Sequence, residues 1–228
     1  MSPLPDRPGD VAVAVDVVVL SLAGERAEPV FLAQPRRRDP YHGDWSLPGG
    51  IVREREDLEA AVRRALARAT ALERVRHLEQ LGTFGDPARD PRGRVVSVSY
   101  LALLPEPGPA GAGAGWLPAT APPPLAFDHA EILAAALERL RGKLSYSTVA
   151  YGLVGDEFTL SELQAVYEAV LGEELDKRNF RKKVLALGVL EEAEGMRRGA
   201  HRPARLYRFR HRELVLFDDV VTRAGTAL

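Results

Sequence analysis

Residues 11–22 read VAVAVDVVVLSL, apolar at almost every position and dominated by valine. A run of this kind, without polar alternation and bounded by turn-forming residues, predicts a strand covered on both faces. PVFLAQ at 29–34 predicts its neighbour, with AGERAEP supplying the turn between them. SLPGGIV at 46–52 reads as a short strand entering a turn. From 57 to 71 the period changes: Leu58, Ala61, Val62, Ala65, Leu66 and Ala69 fall on one face of a helix. RVVSVSYLALL at 94–104 predicts another strong strand. The stretch 105–124, rich in Pro, Gly and Ala, predicts a mobile loop or insertion with a short strand near Trp116. DHAEILAAALERLRGKL then restores the helical pattern, with Asp128 placed to cap it.

The pattern changes after Leu144. TLSEL, in which Thr159 or Ser161 precedes acidic side chains, is the start of one helix, and DKRNFRKKVLALG predicts a second after a short turn. RRGAHRPARLYRFR then reads as the two strands of a basic hairpin. Helix, turn, helix and hairpin together are the layout of a winged helix. The expected division is therefore a mixed-sheet domain of α+β, α-β-α layered class over residues 1–144 and a winged helix-turn-helix domain over 145–228.

Composition narrows the chemistry. With 228 residues, 46% hydrophobic and 28% charged, the chain can bury substantial cores. It contains no cysteine, which removes disulfides and thiolate metal sites. No segment is apolar for long enough to span a bilayer, and no basic-then-apolar signal opens the chain, so the expectation is a cytoplasmic protein. The net charge of −1 hides an asymmetry, because basic residues concentrate near the C-terminus.

The stretch GGIVREREDLEAAVRRALARATAL, residues 49–72, has the outline of a phosphate-hydrolysing site without most of its carboxylates. Hydrolysis of a diphosphate needs divalent ions, and carboxylates at i, i+3 and i+4 of a helix would converge on them. Here those positions are Ala65, Arg68 and Ala69. Glu54, Glu56, Asp57 and Glu59 crowd the helix start instead, where the helix dipole favours negative charge. With GDWSLPGG before it, the region resembles the Nudix hydrolases: Gly50, Glu56, Arg64, Leu66 and Leu72 match the Nudix box, whereas the glutamates do not and the box glycine is Ala71. The expectation is a site with no catalytic residues and no metal, in which Gly49, Gly50 and Arg68 contribute to ligand binding and Arg68 replaces part of the missing metal charge. LGTFGDPARDPRGRVVSVSYLALL is similar to a stretch of Nudix proteins that act on or bind ADP-ribose, and Arg37 matches an arginine used near the ligand there. Trp45 and Phe84 are candidates either for stacking on adenine or for the core.

In the second half, Phe180, Val184 and Leu187 share one helix face, and Arg178 and Lys182 point nearly opposite, with Asn179 and Arg181 on the flanks. Asp176 is a natural cap that leaves Lys177, Arg178 and Asn179 in the first turn. Arg and Asn suit guanine and adenine edges in the major groove. Arg197, Arg198, His201 and Arg202 would form a wing tip for phosphate or the minor groove.

Taken together, the degenerate box and the segment from GKLSYSTVAYG to GVLEE resemble the Nudix-related transcriptional regulators of NAD metabolism, the NrtR family. That resemblance implies an ADP-ribose-type nucleotide as effector with no required cofactor, repression of NAD biosynthesis or salvage genes, and a homodimer on double-stranded DNA with a palindromic operator. The alternatives are an active ADP-ribose pyrophosphatase with a metal site moved to Glu56 and Glu59, and a regulator of sugar utilisation genes.

Overall fold

The computed structural model describes residues 10–24, 26–70, 75–111, 113–197 and 203–217. Its central strand is β1 (Ala12–Ala23), which pairs antiparallel with β2 (Glu28–Pro35) and with β4 (Gly49–Ile51) and parallel with β6 (Val95–Leu103). Beyond β6 lies β5 (His77–Phe84); β2 carries β3 (Trp45–Ser46) and β7 (Gly115–Pro118). The sheet is mixed and seven-stranded. The valine run serves both faces, as its pattern predicts: Val15, Val17 and Val19 pack under α1 (Leu58–Ala69), and Val18 and Leu20 join the core under α2 (His129–Tyr146).

Several expectations change in detail. SLPGGIV contains two short strands, since Leu47 and Pro48 turn the chain from β3 into β4. The helix at 57 is capped by the Asp57 carboxylate, which accepts the Ala60 N–H at 2.7 Å, but it ends at Ala69 because Thr70 is extended and bridges to Ala110. Leu72 and the box position Ala71 lie outside the described residues. Strand β5 has no strong apolar alternation and is not evident from pattern. The 105–124 stretch holds the short strand expected near Trp116: β7 pairs with β2, the Trp116 indole donates to the Gly108 carbonyl at 2.8 Å, and the Gly111 N–H donates to the Ala69 carbonyl at 2.8 Å.

The C-terminal part consists of β8 (Phe158–Thr159), α3 (Leu160–Leu171), α4 (Lys177–Ala186), β9 (Leu190–Arg197) and β10 (Ala204–Phe209). Thr159 and Glu162 form a reciprocal capping box at the start of α3, and Gly172 ends the helix in the left-handed region. In the turn to α4, Gln164 donates to the Leu175 carbonyl and Glu168 accepts the Leu175 N–H. The hairpin β9–β10 takes β8 as a third strand.

The division expected at 144 falls inside α2, which continues to Tyr146. A 3₁₀ turn, Val149–Gly152, follows, and the chain returns here at 215–217 through the Val215 and Phe217 N–H groups. One apolar core runs from Leu101 and Leu103 of the sheet, through Leu133 and Leu140 of α2, to Leu163 of α3 and Phe180 of α4. Beside it, the Glu79 carboxylate accepts from Lys143 and Arg139, and His77 bridges Glu79 and the Tyr151 hydroxyl. Contact at this seam is tight at Gly152, where a Cβ would lie 2.8 Å from the Leu103 side chain and 3.2 Å from His77. Gly152→Ala is expected to destabilise the protein by about 1–3 kcal/mol through overpacking. Gly142→Ala, in the exposed interior of α2 with open space for the methyl, is expected to stabilise it by about 0.5–1 kcal/mol. Urea midpoints of the two variants check the contrast.

Candidate functional site

Asp16 is the charged residue in the apolar run of β1, and it is 6% exposed. Its carboxylate accepts the Ser97 hydroxyl at 2.7 Å from β6, faces the Arg89 guanidinium at 3.3 Å and lies 3.5 Å from His129 Nε2. Burial alone would push its carboxyl up; His129 above all, then the Ser97 hydrogen bond and the charge of Arg89, bring it down to about 2. Arg89 also clamps Asp128 with two bonds of 2.7 Å. Asp128 therefore does not cap α2 with its side chain, as the pattern suggested; its oxygens are spent on Arg89. His129, the first residue of α2, accepts the Leu47 N–H at Nδ1, which leaves the ring proton on Nε2 toward Asp16. In this way the start of α2, the loop holding Arg89 and the approach to Gly49 are fixed to one buried group.

Around this network the loops at 36–44, 85–94 and 126–129 come together. Arg36 stacks on the Phe127 ring at 4.4 Å and Arg92 lies 5.6 Å from it. Tyr41 meets the same ring edge-on at 4.8 Å, and Asp90 holds Arg92. Phe127 has a φ of 57°, an uncommon left-handed conformation for an aromatic residue. The arrangement is a cationic, aromatic rim over a buried polar floor. Asp16, Arg36, Arg89, Arg92, Phe127 and His129 were not singled out by sequence, and Asp128 only as a helix cap; the signal available was a lone aspartate within a strand of valines.

The structure brings some of the expected residues to this end of the sheet. Gly49 is opposite Asp16 in the β4–β1 ladder, and a Cβ there would lie 2.4 Å from Asp16 Oδ1 and 2.5 Å from the Val15 carbonyl oxygen. Gly50 follows in the same strand, and Phe84 is opposite Ser97. Trp45 and Phe84 are half-buried against the main core. Arg37 is exposed in the loop beside Arg36. Arg68 is not brought here: it is exposed in the last turn of α1, across the sheet from α2. Ala65 and Ala69 are buried against Val15, Val17 and Val19.

The helix-start acids are also committed. Both Glu56 oxygens take bonds of 2.6 Å from Arg64, and Oε2 accepts the Arg53 N–H, so Arg64 above all holds this carboxyl down to about 2. Glu59 pairs with Arg63 at the surface. Among the described residues no three acidic or imidazole side chains converge as metal ligands.

The second candidate surface is α4. Asp176 accepts the Asn179 N–H at 2.7 Å and caps it; Phe180 and Val184 are buried, with Leu187 packed beside them, and Arg178 and Lys182 face outward. The side chains of Lys177, Arg178, Asn179 and Lys182 make no hydrogen bond or ion pair among the described residues. Arg181, expected on the flank, is half-buried there: it donates to Ser161 at 3.1 Å and its Nε is buried. Arg197 is drawn to Glu162 at 2.7 Å, and Arg205 and Arg208 are paired with Glu192 and Glu191 across the hairpin. Arg198, His201 and Arg202 lie outside the described residues.

A sheet between two helices, joined to a capped helix pair and a three-stranded wing, defines a Nudix domain linked to a winged helix. Family models agree: NUDIX domain over residues 11–136 and NrtR DNA-binding winged helix domain over 150–209. The chain belongs to the NrtR family. It is 34% identical over 206 residues, 86% of this chain and 81% of the relative, to the ADPR responsive transcriptional repressor NtrR of Acinetobacter baylyi. It matches the structure of Shewanella oneidensis NrtR complexed with a 27mer DNA at TM-score 0.78 and 32% identity, covering 91% of this chain and 98% of that one. The NUDIX domain of that Shewanella protein complexed with ADP ribose matches at TM-score 0.51 and 34% identity, over 57% of this chain and 89% of that one.

The depressed carboxyl of Asp16 gives a signed pH expectation. Its contribution, about 2 kcal/mol for this shift, is present above pH 3.8 and lost as the pH falls toward 2. Asp16→Asn is therefore expected to be less stable than the parent at pH 6, with the difference shrinking between pH 4 and 2. Denaturant midpoints across that range provide the check.

Proposed function

We propose that this protein is a ligand-responsive DNA-binding repressor of NAD biosynthesis or salvage genes. Its sheet domain, about residues 1–144, senses ADP-ribose or a related nucleotide, and its winged helix, about 145–228, binds a palindromic operator as part of a homodimer. The observation that carries the reading is α4: Lys177, Arg178 and Lys182 make no ion pair among the described residues and are held outward by a helix whose other face is packed into its own domain. The side chains assigned to DNA are Lys177, Arg178, Asn179 and Lys182, with Arg198, His201 and Arg202 of the wing. Arg181 and Arg197 serve chiefly to brace the helix pair and the wing.

For the effector, the rim of Arg36, Arg37 and Arg92 around Phe127 suits a diphosphate, and Trp45 and Phe84 suit a nucleobase. Family relatives that respond to or hold ADP-ribose support that choice. Hydrolysis is not part of the reading, because two of the three box positions are alanines buried in the core and Glu56 is occupied by Arg64. Ligand changes DNA occupancy only by favouring one arrangement of the two domains; a tenfold effect requires about 1.4 kcal/mol of coupling.

Selection of genomic fragments by the purified protein at fixed salt, with and without ADP-ribose, tests this. The expected result is a palindrome near NAD genes whose recovery depends on ADP-ribose; recovery of no sequence overturns the reading. On the selected operator, Lys182→Ala is expected to reduce the steepness of log K against log salt by about 1 per protomer, whereas Arg208→Ala leaves it unchanged. Incubation with ADP-ribose and magnesium is expected to release no AMP. A release abolished in Glu56→Gln would establish the pyrophosphatase instead.

A further inference from the structure

Leu185 lies on the outward face of α4 and is 46% exposed. It is seven positions after Arg178 and three after Lys182, spacings that put all three on one stripe, opposite Phe180 and Val184. This large aliphatic side chain, next along the stripe after two cations on a polar helix, joins no apolar core of its own domain. Contact with phosphate gives it nothing either. The apolar group that a duplex presents in the major groove is the 5-methyl of thymine, which distinguishes A·T from the other pairs there.

Resting on the DNA-binding reading above, we infer that Leu185 is a specificity-determining residue that contacts a thymine methyl in each operator half-site. Arg178 and Lys182 supply the charge complementarity that seats the helix against DNA. Seven residues of helix advance about 10 Å, so this thymine lies about three base pairs from the pair facing Arg178. The contact selects thymine over cytosine through a methyl group, without any hydrogen bond.

Replacing thymine by uracil removes only that methyl. In the operator recovered by selection, each thymine is replaced singly by uracil, and affinity is measured for the full-length protein at constant salt. One thymine per half-site is expected to be sensitive, with about fourfold weaker binding on removal of its methyl, the scale of one buried carbon. In Leu185→Ala the same replacement is expected to have no effect, while Leu185→Met keeps the sensitivity; unchanged thermal midpoints confirm that both variants fold. Uracil tolerated at every position by the parent, or a loss that persists in Leu185→Ala, overturns the inference while leaving DNA binding intact. A protein that selects no operator overturns the DNA-binding reading and this inference together.

Discussion

Two carboxylates, Asp16 and Asp128, converge on one buried guanidinium, and the placement of α2 depends on that meeting. Buried charges are tolerated only in company: removing one partner leaves the others desolvated and uncompensated. The pairing therefore acts as a geometric constraint more than as a source of net stability. It fixes the first turn of α2 against β1, and His129 adds the Leu47 N–H as a second anchor. From this fixed end the helix runs 18 residues, about 27 Å, to Tyr146. Over that length one side covers the sheet and another meets α3. The rim around Phe127 and the position of α3, on which α4 packs, are thus referred to the same element.

The opposite face of the sheet shows what replaced the box carboxylates. Ala61, Ala65 and Ala69, four residues apart, give α1 a narrow side that sits directly on the valines of β1. A glutamate at 65 or 69 in this packing would carry its charge into an apolar cluster, at a cost of several kcal/mol. The helix retains the brace of the family outline, Arg64 holding Glu56 and the Ile51 carbonyl, because that brace positions β4 and Gly49 whatever the chemistry. At this helix the loop architecture is kept, and two of the three box carboxylate positions carry methyl groups packed on the valines.

This division explains which parts of the molecule were legible in its sequence. Residues in regular, strongly patterned elements were readable: the valine strand, the Ala/Leu face of α1, the Thr159 cap and the two sides of α4. The Gly49–Gly50 pair was readable as a place, although the reason for glycine, the approach of Asp16 within 2.4 Å of a Cβ position, depends on a partner 33 positions earlier. Arg89 and Asp128 were opaque for the same reason, since nothing local announces that a loop arginine and a helix-start aspartate 39 residues later are paired. Asp128 looked like a cap because caps are local; a bidentate guanidinium outcompetes the helix N–H groups for the same oxygens. The 105–124 stretch was legible in part: the short strand near Trp116 was readable, whereas the ladder with the distant β2 that holds it in place was not.

Charge counting meets the same limit in the winged helix. Read along the chain, the region from 174 to 212 is strongly basic, yet the structure divides those cations by use. Arg197, Arg205 and Arg208 are matched to Glu162, Glu192 and Glu191, and these pairs hold the wing to α3 and the hairpin strands to each other. Exposed pairs of this kind contribute little energy individually, but they set where the wing points. Glu162 is shared between the cap of α3 and Arg197, so the start of the first helix and the base of the wing are registered on one carboxylate. Among the described residues, Lys177, Arg178 and Lys182 of α4 make no ion pair, and they stand on a helix whose back is Phe180 and Val184. Affinity for a polyanion follows from the charges that remain available, not from the charge counted along the chain.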